Sequence, residues 1–129
     1  MGAAGAKTVV YVEDEPAVRR LVAFWLEDAG YDVRLAGDGA EGMEVIRDTM
    51  PDLVITDALM PVLTGDELVE QMQRDPGLSH IPVIMATAAA SPLRVRKMID
   101  LGCRAVLAKP LSEESLLEAV EAALAAAPD

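Results

Sequence analysis

The chain has 129 residues, enough for one folded domain whose hydrophobic core needs no disulfides or metal staples. Its 22 acidic residues outnumber 11 basic ones, and the formal charge of -11 argues against a nucleic-acid-binding surface, because phosphate contacts require lysine and arginine. One cysteine and one histidine exclude a disulfide framework and a Cys/His zinc site.

No signal-peptide core is visible, and no apolar run approaches the ~18 residues that span a bilayer. We therefore expect a soluble protein in a reduced, cytoplasmic setting, without membrane or direct nucleic-acid contact. Residues 1–7 are small and nearly uncharged, which predicts a disordered N-terminal segment. One domain is expected over residues 8–126, with a C-terminal tail at 127–129.

Short apolar runs alternate with longer stretches of helical period, a pattern typical of parallel βαβ units. The first strand is predicted at Thr8–Val12, followed by a helix over residues 16–29 that carries one apolar stripe. Residues 31–36 alternate apolar and polar side chains, which predicts an edge strand. The second helix is predicted at Gly39–Thr49.

The second half of the chain continues the alternation. Strands are predicted at residues 53–56 and 83–86, and a short fifth strand at Ala105–Ala108. The runs at 8–12, 53–56 and 83–86 are continuously apolar, which predicts three central strands covered by helices on both faces. The third helix is predicted to begin at a capping box that starts with Thr64. The fourth begins at a Ser-Pro pair at Ser91, and the fifth at Ser112.

Polar residues that can carry chemistry follow four of the predicted strands. Glu13 and Asp14 come after the first strand, Asp57 after the third, Thr87 after the fourth and Lys109 after the fifth. In an open parallel α/β sheet the ligand crevice lies outside the carboxyl ends of the strands, so these residues are expected to meet in space. Taken singly, each has an ordinary structural explanation, such as a cap of the first helix for Asp14. Their shared placement favours a functional site.

Three carboxylates in one pocket repel one another unless a cation joins them. Oxygen ligands without histidine or cysteine favour a hard ion such as Mg²⁺, which keeps waters and a phosphate oxygen among its ligands. Thr87 and Lys109 would supply donors to a phosphoryl group, whose transfer depends on positioning and charge neutralisation. Asp57 is the best candidate nucleophile because it follows a central strand, and its product would be an aspartyl phosphate.

At these residues the sequence resembles the CheY-like receiver domains of two-component response regulators, over nearly the whole chain from Thr8 to about Ala126. The resemblance rests on these motifs: Glu13-Asp14; Asp57 followed by Met60-Pro61 and Gly65; Thr87-Ala88; and Lys109-Pro110. It implies an α/β, flavodoxin-like fold with a five-stranded parallel sheet in the order 2-1-3-4-5 and helices on both faces. It also implies a cis bond between Lys109 and Pro110.

The resemblance further implies a role for each residue of the site. Asp57 would accept phosphoryl from a histidine kinase or a histidine phosphotransfer protein, and Thr87 and Lys109 would contact the phosphoryl group. Mg²⁺ would be held by Asp14, Asp57, the backbone carbonyl of Leu59 and, through water, Glu13. The domain would act on a downstream protein target, as a monomer or a phosphorylation-dependent dimer. It would not be an enzyme beyond its own phosphorylation and dephosphorylation.

Two other functions stay open. A pseudo-receiver, that is, an interaction module independent of phosphorylation, is favoured by Val106, which stands where the family usually carries Tyr or Phe. An aspartate-nucleophile phosphatase usually pairs its nucleophile with a second Asp two residues on, and here that residue is Leu59. Mg²⁺-dependent binding of beryllofluoride separates the first alternative from a receiver, and turnover of an external phosphomonoester would support the second.

Overall fold

The computed structural model describes residues 5–125. Residues 1–4 of the predicted disordered segment, and residues 126–129 with the predicted tail at 127–129, lie outside the described residues. Within 5–125, strands and helices alternate in this order: β1 (Thr8–Val12), α1 (Pro16–Asp28), β2 (Asp32–Ala36), α2 (Gly39–Thr49), β3 (Leu53–Asp57), α3 (Gly65–Arg74), β4 (Val83–Thr87), α4 (Pro92–Leu101), β5 (Ala105–Ala108) and α5 (Glu113–Ala125). Within residues 5–125, none of the helices combines the length and the apolar character that a membrane span requires.

All five strands are parallel and form one sheet in the order β2-β1-β3-β4-β5, which confirms the predicted fold class. β1, β3 and β4 are the central strands, as their continuous apolar sequences predict, and every residue of β3 and β4 is buried. β2 is an edge strand, as its alternating pattern predicts, and it exposes Arg34 and Leu35.

Two apolar layers cover the two faces of the sheet. The side chains of β1 show how the sequence divides them, because successive strand residues point to opposite faces. Val10 and Val12 belong to the cluster that α2, α3 and α4 cover. Val9 and Tyr11 belong to the cluster that α1 and α5 cover. The helices thus enclose the sheet from both sides, as its continuous apolar strands require.

The helices begin at the capping signals that the sequence carries. Thr64 and Glu67 form a reciprocal capping box, in which each side chain accepts a hydrogen bond from the backbone N–H of the other residue. The Ser91 hydroxyl accepts from the backbone N–H of Arg94 and opens α4, with Pro92 in its first turn. These caps fix where the chain turns from the strand ends into the helices.

The structure refines two details of the predicted elements. β3 and β4 each extend one residue beyond the predicted ends, so Asp57 and Thr87 are the last residues of their strands. The apolar stripe of α1 is narrower than predicted, since Leu21 is 50% exposed and Trp25 is only partly buried. The reason is that α1 packs against β1, β2 and α5 through its other apolar residues, and the face with Leu21 borders a groove near the strand ends.

Candidate functional site

The carboxyl ends of four strands bring the predicted site residues to one edge of the sheet. Asp57 ends β3 and Thr87 ends β4, while Glu13 directly follows β1 and Lys109 directly follows β5. The pairing register places Asp57 beside Ala86 and Thr87 beside Ala108, so the strand ends are level with one another. This is the edge at which open parallel sheets bind their ligands.

Three carboxylates meet at this edge. Glu13, Asp14 and Asp57 each place a carboxylate oxygen within 4.8 Å of the others. Glu13 is 1% exposed and Asp57 7% exposed, whereas Asp14 is open to solvent. Asp14 does not act as the cap of α1, because the N-cap is Glu15 and no side chain caps that helix. The structure therefore leaves Asp14 free to serve the cluster.

Lys109 is the cation of the cluster. Its ammonium donates to Glu13 Oε1 at 3.0 Å and to Asp57 Oδ2 at 3.1 Å. Burial acts to lower the pKa of the Lys109 ammonium, but its hydrogen bonds and charge contacts with Glu13 and Asp57 outweigh that effect, and the pKa is raised. Lys109 is therefore a fixed positive charge at neutral pH, placed between two acidic side chains.

Both carboxylate oxygens and the backbone carbonyl of Glu13 accept hydrogen bonds. Its Oε1 accepts from the Tyr11 hydroxyl at 3.3 Å as well as from Lys109, and its Oε2 accepts from the backbone N–H of Glu15 at 3.1 Å. The Arg19 guanidinium donates to the backbone carbonyl of Glu13 at 2.7 Å. Burial and the negative charge of Glu13 raise the pKa of Tyr11, so the phenol stays a neutral donor. These contacts satisfy a carboxylate that would otherwise be costly to bury.

Sequence reasoning missed Tyr11 and Arg19. A signal for Tyr11 exists, because residues two apart on a strand lie on the same face, and Tyr11 is two residues before Glu13. The phenol is also the one polar side chain among the four buried residues of β1, residues 9–12, and a buried phenol needs a partner. Arg19 has no comparable signal, since its contact is with a backbone carbonyl whose direction depends on the fold.

Thr87 and Lys109 lie side by side across the last strand pair. The Thr87 backbone carbonyl accepts from the Lys109 N–H at 2.9 Å, and the Thr87 hydroxyl oxygen accepts from the Ala89 N–H at 3.1 Å. Thr87 is 4% exposed. The bond from Ala89 uses only the oxygen of the Thr87 hydroxyl, so the hydroxyl proton can still be donated to a ligand. The bond between Lys109 and Pro110 is cis, as expected.

The loop after Asp57 carries the fourth predicted metal residue, Leu59. Its side chain is 75% exposed and offers no ligand atom, so only its backbone carbonyl can serve.

The same loop has an unusual backbone conformation. Val62 has a positive φ of 72° and is the centre of a three-residue turn, in which the Leu63 N–H donates to the Pro61 carbonyl at 2.8 Å. At the end of the loop a Cβ on Gly65 would come within 2.3 Å of the Asp57 carbonyl oxygen, which explains why this position takes glycine.

The donor set fits a divalent cation. Three formal negative charges share the cluster, and among residues 5–125 Lys109 is the cation that bonds these carboxylates directly. All the side-chain donors are oxygens, which suits a hard ion with several water ligands. Asp14, which is exposed, and Asp57, at the strand end, could each offer a carboxylate oxygen to such an ion. The Glu13 carboxylate already accepts three hydrogen bonds, which suits contact with a metal ion through a water molecule.

Comparisons with known proteins agree with this geometry. Residues 9–121 match the family described as the response regulator receiver domain. The chain is 31% identical over 118 residues to the polar-differentiation response regulator DivK of Brucella anthropi, covering 92% of this chain and 96% of that protein. It is 39% identical over 112 residues to hybrid signal transduction histidine kinase D of Dictyostelium discoideum, covering 87% of this chain.

The chain covers very different shares of its relatives. It spans 7% of the Dictyostelium kinase and about half of two further curated relatives, 48% and 52%. Among solved structures, the chemotaxis response regulator CheY4 of Vibrio cholerae superposes with a TM-score of 0.87 at 32% identity, covering 92% of this chain and 99% of that one. Fold, site position and sequence relatives favour a phosphoacceptor over the interaction-only alternative. The chain belongs to the family of response regulator receiver domains.

Proposed function

We propose that Asp57 is the phosphoacceptor of this receiver domain, with Mg²⁺ as cofactor. The observation that carries the proposal is the position of Lys109, whose ammonium lies 3.1 Å from Asp57 Oδ2 at the edge of the sheet where three carboxylates meet. Asp57 is rigidly held, because it ends a buried central strand. A fixed carboxylate beside a fixed cation is suited to attack an anionic phosphoryl group.

The chemistry we assign is transfer of one phosphoryl group. An Asp57 carboxylate oxygen attacks phosphorus, the new O–P bond forms, and the bond to the donor breaks. For a phosphohistidine donor the broken bond is P–N, and the imidazole keeps the electron pair and takes a proton from solvent. A bound Mg²⁺ would neutralise charge on the phosphoryl oxygens. Its ligands would be Asp14, Asp57 and the backbone carbonyl of Leu59, with Glu13 holding a metal-bound water.

Two donors of this chain act on the transferred group. Lys109, freed in part from Asp57, contributes its positive charge to an oxygen of the anionic phosphoryl group as that group is transferred to Asp57. The Thr87 hydroxyl donates its proton to a second oxygen while its own oxygen still accepts from Ala89. Because Thr87 ends β4 and Lys109 follows the neighbouring β5, the loop after β4 and the end of β5 respond to the same event. This coupling would change the surface offered to a downstream protein.

The test uses a small donor so that no kinase is needed. Intact-protein mass spectrometry after incubation with acetyl phosphate and Mg²⁺ should show one phosphate on the wild type. Asp57→Asn should show none, while Asp48→Asn, an exposed acid on α2, should behave as wild type. Omission of Mg²⁺ should abolish the adduct. Unchanged labelling of Asp57→Asn would place the phosphoacceptor at another residue, and an unlabelled wild type that also fails to bind beryllofluoride would support the pseudo-receiver.

An apolar groove beside the site is where we propose that the protein phosphodonor docks. It has a volume of about 360 Å³ and extends from Lys109 along one side of α1. Its apolar lining includes Val18, Leu21, Val22, Trp25, Pro110 and Leu111. A histidine kinase or phosphotransfer protein must bring its phosphohistidine to Asp57, and a groove continuous with Lys109 lies on that approach. Leu21→Glu should therefore slow transfer from a phosphohistidine protein and leave labelling by acetyl phosphate unchanged.

The remaining expectations are proposals as well. We propose a domain over residues 8–126 that acts in the cytoplasm on a downstream protein, as a monomer or a phosphorylation-dependent dimer, without direct contact to nucleic acid or membrane. Its chemistry is its own phosphorylation and dephosphorylation. Leu59 supplies no carboxyl group for acid catalysis, so a phosphatase acting on external phosphoesters is not proposed. Val106 is half-buried against the α2, α3 and α4 layer, so we propose that the change at Thr87 reaches the surface without an aromatic ring at position 106.

A further inference from the structure

The Tyr11 phenol lies directly beneath the site, within the hydrophobic layer that α1 and α5 cover. Its side chain is fully buried, and its hydroxyl is 3.3 Å from Glu13 Oε1. The residue stands on β1, which is paired on both sides, so the backbone cannot shift the ring away from Glu13 without disturbing two strands. The phenol oxygen therefore has a fixed position relative to the carboxylate above it.

The Lys109 ammonium donates hydrogen bonds to both Glu13 and Asp57. Lys109 Nζ lies 3.0 Å from Glu13 Oε1 and 3.1 Å from Asp57 Oδ2. Tyr11 donates to the same Oε1 atom that binds Lys109, whereas Glu13 Oε2 is taken by the Glu15 N–H. Each donor to a carboxylate oxygen withdraws negative charge from it, so the phenol weakens the attraction between Glu13 and Lys109. The strength of the phenol bond thus influences how the ammonium is shared.

We propose that Tyr11 is a positioning residue that keeps Lys109 available to Asp57 and to the incoming phosphoryl group. Tyr11 does not touch the reacting atoms and acts through Glu13. The inference rests on the proposed function, because it assigns Lys109 to the phosphoryl group.

Removal of the phenol hydroxyl should affect two ligands in different ways. In Tyr11→Phe, Glu13 holds Lys109 more tightly, so affinity for beryllofluoride at saturating Mg²⁺ should fall by about three- to tenfold, the range of one hydrogen bond. Affinity for Mg²⁺ itself should be unchanged or higher, because no metal ligand is lost and Glu13 becomes more negative. A merely loosened core would lower both affinities together.

The experiment measures both affinities on the same variants of the full chain. Isothermal titration calorimetry gives the Mg²⁺ affinity, ¹⁹F NMR gives the bound fraction of beryllofluoride, and circular dichroism checks the fold. Tyr31→Phe is the matched control, because Tyr31 packs against the same layer far from Glu13 in sequence and should behave as wild type. The Tyr11 effect should vanish in a Glu13→Gln background, where the competing charge is absent.

The outcomes separate this inference from the proposed function. Wild-type beryllofluoride affinity in Tyr11→Phe overturns the positioning role, as does a parallel fall in both affinities. A Tyr11 effect that persists with Glu13→Gln also overturns it, because the phenol would then act by another route. A wild type that binds Mg²⁺ but no beryllofluoride overturns the proposed function itself.

Discussion

Val62 occupies a backbone conformation that is unfavourable for its side chain. Its φ is 72°, and the hydrogen bond from the Leu63 N–H to the Pro61 carbonyl, at 2.8 Å, makes it the centre of a γ-turn of the rare, strained kind. Positive φ costs an L-residue about 1–2 kcal/mol, and β-branched residues are marked outliers there. The side chain is 78% exposed, so it recovers little of this cost by burial.

Val62→Gly should therefore stabilise the domain. Glycine adopts positive φ freely but loses about 0.5–1 kcal/mol more conformational entropy on folding, which leaves a net gain of about 1 kcal/mol. For a chain of 129 residues this corresponds to a rise of about 3–5 °C in the melting temperature. Urea unfolding, monitored by Trp25 fluorescence and by circular dichroism, measures the difference in the free energy of unfolding between Val62→Gly and the wild type.

Two further variants control for other causes. Val62→Ala removes the branched side chain but keeps the Cβ, so it should gain less than half as much as glycine. Met50, the C-cap of α2, has a φ of 48° without β-branching, and Met50→Gly should give a smaller gain. If Val62→Gly is no more stable than Val62→Ala, backbone strain at this turn is not what the substitution relieves, and the reasoning fails.

Three other predictions concern the metal, an ion pair and the thiol. Asp14→Ala should weaken Mg²⁺ binding by at least about tenfold in calorimetry, since an open carboxylate ligand is lost; equal affinities in Asp14→Ala and in Asp28→Ala, an acid at the far end of α1, would refute the ligand role. Arg94 bonds Asp66 through two nitrogens at 2.9 and 3.1 Å, joining α3 to α4, and both side chains are partly exposed. A double-mutant cycle of Arg94→Gln and Asp66→Asn in urea should give a coupling of about 0.5–1 kcal/mol, and a coupling near zero would contradict the contact. Burial, followed by the charge of Asp66, raises the pKa of Cys103 from 9.0 to about 12. A higher pKa means less thiolate, so at pH 8 a thiolate-selective reagent should react about a hundredfold or more slowly with the folded chain than with the chain in urea; similar rates would show an accessible, ionised thiol.

The sequence predicts the strands and the edge at which the site forms because those features depend on local patterns. Continuous apolar runs mark β1, β3 and β4 as central, and the residues that end each run, such as Asp57 and Thr87, reach the carboxyl edge of the sheet by geometry alone. The match to a known family then orders the strands.

Contacts that depend on side-chain direction were not predictable in this way. The bond from Arg19 to the Glu13 carbonyl and the pair between Asp66 and Arg94 each join residues whose separation in sequence carries no periodic signal. The exposure of Leu21 also escaped prediction, because helical period identifies an apolar stripe but not how much of it the sheet covers. Roles of individual site residues remain predictions that the proposed experiments test.

The ion pair between Lys109 and Glu13 joins residues 96 positions apart, and this separation ties the site to the completion of folding. Chains emerge from the ribosome with the N-terminus first, so Glu13, Asp14 and Asp57 are present well before β5 is made. Until β5 docks against β4, the carboxylates lack their ammonium partner and repel one another. On the proposed function, a nascent or truncated chain without β5 would lack the ammonium that assists Asp57, and the assembled site would report that the whole sheet has formed.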